Sequence, residues 1–577
     1  MEMNEEKNLS SRAYPYLACT TPKAIVKACD SNTTFTIIDK DGHPLLIHNI
    51  GTTVHVWDMV THEDISTYSV TAGKKTFVKM GARVIIHPDM VEYDSVMNSW
   101  ARMSVSETYG ELWRHISINA CDKEGNFFKT YLSSNPPASG DDSSYLVDGD
   151  NVYVWATDKW VQTDEYYLKL TCEYAPFRKF QTISAETEDT SFTINEGVIY
   201  DRTDKVTVNQ QQETNSNTEL IVKGHMNIEQ TTGSYEPPQD VTIVITSSTP
   251  QMDYICESGN RLWGCRYGDN LNEIYASALG DASVWGLFED TSMDSYIASI
   301  GEDGKWTGCI EYNGHPMFFK DHMIYTIYGM YPAQYQISKQ EGLGMKEGNT
   351  ACVFNNVLYY GSHEGICAYT GSVPRVISHD CGEIDANALA GAGHRLYVSD
   401  GGDVYTLDTE YNVWHHEDDT EVSHAFSYGD KVYFNSNGNI VSTDVGSGQI
   451  AWEAITPKLN IRNPDSSYLA EIQIRTEFVN GHSLKVYVSY DEGSYNDQYH
   501  VTGGVNRWRD VINRHWEDVA DLTWDQLAGT KQGVFPYVVH VRLKRASTCR
   551  IKLVGVGDIR IISLTKHWRT GSDSTWR

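Results

Sequence analysis

The second half of the chain repeats one pattern of apolar and polar positions: a turn, a short apolar-aromatic-apolar strand, then a second turn and a second strand. Gly393-His394-Arg395-Leu396-Tyr397-Val398 leads to Gly402-Asp403-Val404-Tyr405-Thr406-Leu407-Asp408. Gly429-Asp430-Lys431-Val432-Tyr433-Phe434 leads in the same way to Gly438-Asn439-Ile440-Val441-Ser442-Thr443-Asp444, and Asn355-Asn356-Val357-Leu358-Tyr359-Tyr360 to Glu364-Gly365-Ile366-Cys367-Ala368-Tyr369. The matching apolar positions keep one spacing (358 to 366, 396 to 404, 432 to 440), and the copies start about 36 to 38 residues apart. A period of about 40 residues made of short strands and tight turns predicts β-propeller blades. Asn437-Gly438 and Gly402-Asp403 are expected to supply the positive φ that two-residue hairpins need.

Looser copies extend the series upstream. Asn260-Arg261-Leu262-Trp263-Gly264 precedes Asn272-Glu273-Ile274-Tyr275-Ala276, and His315-Pro316-Met317-Phe318-Phe319 precedes Met323-Ile324-Tyr325-Thr326-Ile327-Tyr328. About five units therefore lie between 250 and 455. Thr76 to Asp89 has the same texture near the start, which predicts that the chain leaves the propeller after about 104 and returns near 248. The segments are an N-terminal arm (1–22), the first propeller blade or blades (23–104), an inserted β-rich domain (105–247), the remaining blades (248–456) and a C-terminal β-sandwich (457–577). In the insertion, Asp150 to Trp155 is the strongest strand, and the polar stretch Val206 to Glu236 reads as a long loop or protruding hairpin. The sandwich is read from the alternation in Tyr468 to Phe478, Leu484 to Tyr490, Tyr537 to Lys544, Cys549 to Gly555 and Asp558 to Leu564. This last block is locally basic. Helical periodicity is nearly absent, with one short helical start expected at Thr523 to Leu527. The fold class is all-β: a β-propeller with an inserted β-domain and a C-terminal β-sandwich.

Composition changes the picture at three points. The 577 residues carry a formal net charge of −31, which opposes broad binding to a nucleic-acid backbone, because phosphate contact needs Lys and Arg. The same charge suits a wall past which DNA slides without sticking, and equally suits plain solubility. The eleven cysteines form no CxxC pair and are odd in number, so buried free thiols in a reducing cytosol are expected rather than a disulfide framework. No apolar run approaches the roughly 20 residues that cross a bilayer, and the polar start from Met1 to Lys7 has no signal-peptide core. No membrane partner and no secretory signal are expected.

Candidate chemistry is thin. Ser299 to Trp306 and Ser489 to Tyr495 loosely match the Asp-box of sialidase-type propellers, a turn-stabilising device in which an Asp carboxylate binds turn backbone. Glycoside hydrolysis needs two carboxylates across the sugar, and nothing singles out a pair. His415-His416-Glu417-Asp418-Asp419, with His379 and Asp380 upstream, has metal-ligating residue types. Adjacent histidines in a strand point to opposite faces, however, and no second ligand group follows. The expectation is no catalytic residue, no cofactor and no metal.

Certain phrases resemble virion proteins of tailed phages and prophages of gut Firmicutes: Asp253 to Cys265, Asn272 to Asp281 with Trp285 and Asp294-Ser295-Tyr296, the arm Tyr14-Pro15-Tyr16-Leu17, Met80 to Asp89, and Trp414 to Asp418. The architecture is also similar to tail nozzle (tail tubular) proteins of short-tailed phages. That resemblance implies a non-enzymatic homo-oligomeric ring, a hexamer, in the virion tail, assembled in the host cytoplasm. It implies portal, adaptor or tail proteins as partners and transient passage of double-stranded DNA without specific binding. The alternatives are a virion-displayed receptor- or glycan-binding propeller and, after it, a sialidase-like glycosidase.

Overall fold

A computed structural model describes residues 5–109, 117–122, 126–133, 136–137, 143–148, 151–163, 167–173, 181–186, 191–194, 217–223, 242–268, 271–288, 291–346, 348, 350–382, 384–443, 446, 449–460, 467–502, 533–541 and 546–570. The chain forms two compact units, one of residues 1–75 and 342–577, the other of 76–341. Among the described residues, seven four-stranded antiparallel sheets have the order of propeller blades.

The first unit holds four of them. Two follow one another directly in sequence: Ala351–Phe354, Val357–Ser362, Gly365–Tyr369 and Arg375–Val376, then Ala388–Ala392, Arg395–Ser399, Val404–Asp408 and Val413–Asp418. The next has only three consecutive strands, His424–Tyr428, Lys431–Ser436 and Asn439–Ser442. Its fourth is Ala24–Ala28, drawn from the other end of the chain. Phe35–Lys40, His43–Ile50, Thr53–Asp58 and Asp64–Ser69 form the blade that packs next to it. The apolar positions of the repeat are what lies between blades. Leu396 and Leu407 face Phe354 and Ile366, while Tyr397 and Val404 face Val432 and Phe434. Burying such side chains is worth about 1.5–3 kcal/mol each, so a lone blade with two greasy faces is stable only between neighbours.

The repeat's turns behave as their residues dictate, with one shift. Asn437 and Gly438 both take positive φ (47° and 74°), the twist that joins two tight antiparallel strands. At the matching turn of the previous blade the positive φ sits at Gly401 (102°), not at Gly402-Asp403. There the Asp400 carboxylate accepts the main-chain N–H groups of Gly402 and Asp403 and closes the turn from its side chain.

The second unit holds three blades: Thr76–Met80 to Ser99–Arg102, Tyr254–Ser258 to Tyr296–Ser299, and Gly308–Tyr312 to Gln336–Glu341. Although some 150 residues separate them in sequence, the first two are neighbours. Met80, Ile85 and Met103 pack against Met252, Ile255 and Leu262. Residues 105–247 leave and re-enter between adjacent blades, and their described strands form three further sheets. Asn151–Ala156 pairs with Lys159–Thr163 as a hairpin, with Trp155 edge-on to Trp160. Within the expected polar loop, Asn217–Lys223 is a strand paired with Tyr167–Glu173; the rest of 206–236 and the helical start at 523–527 lie outside the described residues.

The C-terminal block is one nine-stranded sheet built on two long bulged strands, Ser467–Tyr490 (24 residues) and Thr548–Thr570 (23 residues). Four register shifts bend this pair, which lets the strands fold over one core of Leu469, Ile472, Ile474, Leu484, Val486, Ile551 and Leu553. Ala451–Ile455 pairs with the second long strand, so 451–455 belongs to this sheet rather than to the last blade. The N-terminal arm belongs to it as well: Glu5–Lys7 pairs with Ala451–Ile455, and Tyr16–Cys19 pairs with Thr548–Thr570. Among the described residues no helix is long and apolar enough to cross a membrane.

Candidate functional site

A dense polar constellation in the first unit is the run Trp414 to Asp419, the last strand of the 388–418 blade and the residue just past it. The strand alternates as expected. His415 is buried and His416 is partly exposed on the other face. A bulge opposite Val404 and Tyr405 leaves Glu417 without a partner in the ladder, but the alternation carries on and buries it on the side of His415, at 3 % exposed.

Each of these side chains meets the N-terminal arm. His415 accepts the Ser11 main-chain N–H at Nε2 (3.2 Å), and its Nδ1 lies against the Glu6 carboxylate. A ring that accepts at Nε2 donates at Nδ1, so one neutral tautomer serves both partners. His416 holds the Glu6 carbonyl oxygen through Nδ1 at 3.0 Å. The Glu417 carbonyl accepts the Asn8 N–H (2.6 Å), while its carboxylate accepts the Thr406 hydroxyl (2.9 Å) and faces Arg12 at 3.8 Å. Lys7 pairs with Asp419 and Lys23 with Asp418. The Ser11 hydroxyl reaches Asp408, whose other oxygen accepts the N–H groups of Glu410 and Tyr411. Tyr14 stacks on Tyr411 at 3.8 Å. The arm is thus stitched along a blade edge by side chains, while its backbone is stitched into the C-terminal sheet.

Asp403, from the hairpin before Val404–Asp408, lies opposite His416, and Asp419 completes a group whose ligand atoms are within 4.8 Å of one another. The sequence places Asp403 thirteen positions from His416, and only pairing of their two strands brings them together. That distance explains why no second ligand group was legible. His379 lies in a short 3-10 turn, His379–Cys381, outside this group.

Both Asp-box-like segments are turns. Asp303 accepts the Gly304 N–H (2.8 Å) and the Tyr267 hydroxyl, and Trp306 is buried with its indole N–H on the Arg266 carbonyl. The phenol and the turn N–H hold the Asp303 carboxyl below its usual range. Asp491 accepts three bonds from Ser547 and Thr548 and ties two strand ends together. Beside Asp303 in the second unit is an open groove of about 520 Å³, lined by Tyr267, Leu271, Asn272, Ile300 and Asp303. Buried Lys320 lies below it, 4.6 Å from the Trp306 ring, and donates to the Glu302 carbonyl; burial lowers its pKa. The Asn272 amide is spent on the carbonyls of Ile300 and Glu302. The groove therefore offers a lining more polar than apolar, with the Tyr267 ring, Leu271 and Ile300 beside one carboxylate.

No family model matches the chain, and no curated protein matches it. Among solved structures, it is similar to the β-propeller domain of Cps50 (Swd1) from Myceliophteria thermophila, at 10 % identity and a TM-score of 0.27, over 73 % of this chain and 100 % of that one. PorZ, an essential surface component of the type-IX secretion system of Porphyromonas gingivalis, matches at 11 % identity and 0.27, over 87 % and 76 %. Sqt1 of Saccharomyces cerevisiae matches at 9 % and 0.31, over 74 % and 99 %. Likeness at this level carries no functional argument; the propeller reading stands on the chain's own repeated sheets.

Proposed function

We propose that this chain is a structural component of a phage virion tail, a nozzle or tube ring subunit that forms part of the DNA exit channel and has no enzymatic activity. The observation that supports it best is the composite sheet. Strands of 24 and 23 residues, against a usual five or six, form a wall into which the N-terminal arm is woven. A sheet of such long strands, with the N-terminal arm woven in, ties distant segments of the chain together as a structural subunit requires, whereas a catalytic site needs a few groups held closely. The net charge of −31 fits a passage that must release DNA. In this reading copies of the chain form a ring, with portal, adaptor or tail proteins above and below it.

The test is negative-stain microscopy of the purified protein with and without a portal or adaptor protein. A ring with a hole about as wide as duplex DNA is the expected result. A monomer under both conditions removes the reading. The groove beside Tyr267 and Asp303 favours a second one, a receptor- or glycan-binding propeller displayed on the virion. A polar lining with one aromatic ring and one carboxylate suits a saccharide, and a glycan array screened with wild type and Tyr267→Ala decides it.

A further inference from the structure

The group formed by Asp403, His416 and Asp419 has an electrostatic problem that a bound cation solves. Nδ1 of His416 lies 3.0 Å from the Glu6 main-chain carbonyl oxygen. A carbonyl oxygen only accepts, so Nδ1 carries the ring proton. In the neutral ring the lone pair is then on Nε2, and Nε2 faces Asp403 Oδ1 at 3.1 Å and Asp419 Oδ1 at 3.6 Å. A lone pair aimed at two carboxylates is repulsive unless a positive charge stands between them. A ring N–H tied to a backbone carbonyl is also the arrangement that orients metal-ligating histidines and fixes their tautomer.

We propose that Asp403, His416 and Asp419 bind one first-row divalent cation of the Zn²⁺ or Mn²⁺ class. One imidazole nitrogen with two carboxylate oxygens suits such an ion better than Ca²⁺ or Mg²⁺, which take oxygen ligands. The group is partly exposed, so water completes the coordination. The cation's role follows from what the ligands also hold. Nδ1 of His416 keeps the Glu6 carbonyl, and the second oxygen of Asp419 keeps Lys7. An ion here stiffens the blade edge to which the N-terminal arm is fastened. The competing arrangement is a second proton on Nε2, which satisfies the same carboxylates with no metal.

The experiment titrates the metal-stripped full chain with Zn²⁺ at about pH 7.5 by calorimetry, with Ca²⁺ as the control ion. One equivalent of Zn²⁺ is expected to bind in the presence of excess Ca²⁺. Asp403→Asn and His416→Gln each weaken binding at least about tenfold, while His379→Gln leaves it unchanged. Far-ultraviolet circular dichroism of the metal-free variants, matching that of wild type, shows that they are folded. Nitrogen NMR of the histidine rings reads the tautomer: Nε2 of His416 shifts on adding Zn²⁺ and Nδ1 keeps its proton. Absence of stoichiometric binding overturns the proposal. So does binding equally tight in both variants, or a His416 ring already carrying two protons before metal is added.

Discussion

His48 is fully buried in the 35–69 blade, and neither ring nitrogen has a well-formed hydrogen bond. It stacks on His55 across the strand pair at 5.4 Å, with Lys27 and Asp64 the charged groups nearby. Burial first, then His55 and Lys27, push its pKa down from 6.5 to about 4. The ring is neutral in both states above pH 6.5. Below that the unfolded chain takes up a proton that the folded chain refuses until about pH 4, so stability falls across that window and levels off beneath it. The loss is about 3 kcal/mol for His48 alone. Urea midpoints of wild type and His48→Leu at pH 7 and pH 4.5 check this, and the variant is expected to lose less on acidification. His424, which shares its Nε2 with the Phe35 carbonyl at 2.9 Å, is also shifted by burial to about 4 and steepens the same fall.

At the scale of elements, close backbone approach decides where side chains are forbidden. Gly391 lies in the first strand of its blade, and a Cβ there would stand 2.3 Å from the Phe354 ring of the preceding blade. Gly391→Ala is expected to cost about 1–3 kcal/mol, read as a lower thermal midpoint with unchanged strand content. The arm makes a different kind of prediction. Leu9 is fully buried in the C-terminal core, so Leu9→Ala should cost about 2–5 kcal/mol and expose the arm to limited proteolysis ahead of the blades. Deleting residues 1–22 uncovers the edges of Ala451–Ile455 and Thr548–Thr570 and takes Ala24–Ala28 off its anchor. Bare edges pair with other chains, and light scattering should report aggregation that full-length protein does not show.

At the scale of the whole molecule, the charge of −31 makes two statements that can be measured. Copies repel one another at low ionic strength, so formation of the proposed ring should rise as salt is added and the Debye length falls from about 30 Å at 0.01 M to about 8 Å at 0.15 M. A specific charge-paired interface would show the opposite trend. A gel shift with duplex DNA at low salt should show no complex, as the proposed passage requires; a salt-sensitive complex would point instead to a basic binding face.

How much of this was readable from the chain depends on the range of the interactions. Tight hairpins and period-two alternation are local, so the blades around Leu358, Leu396 and Val432, the strand segments 468–478, 484–490, 549–555 and 558–564, and the turn role of Asp303 follow from neighbours in sequence; the joining of those segments into two long strands, and the bonds of Asp491 to Ser547 and Thr548, do not. The opposition of His415 and His416 followed from strand geometry as well. What joins distant residues was not legible. Nothing near Ala24–Ala28 announces that it completes a sheet with Asn439–Ser442, because a short strand gains its ladder bonds only from a partner some four hundred residues away. Asp403 meets His416 and Asp419 only after two strands pair, and the Trp414 to Asp419 run became an anchor for Glu6 to Arg12 only once the arm had entered the C-terminal sheet. Local pattern determined which strands form; burial and pairing over long sequence separations, which no local window contains, decided which of them became neighbours and where the polar groups converge.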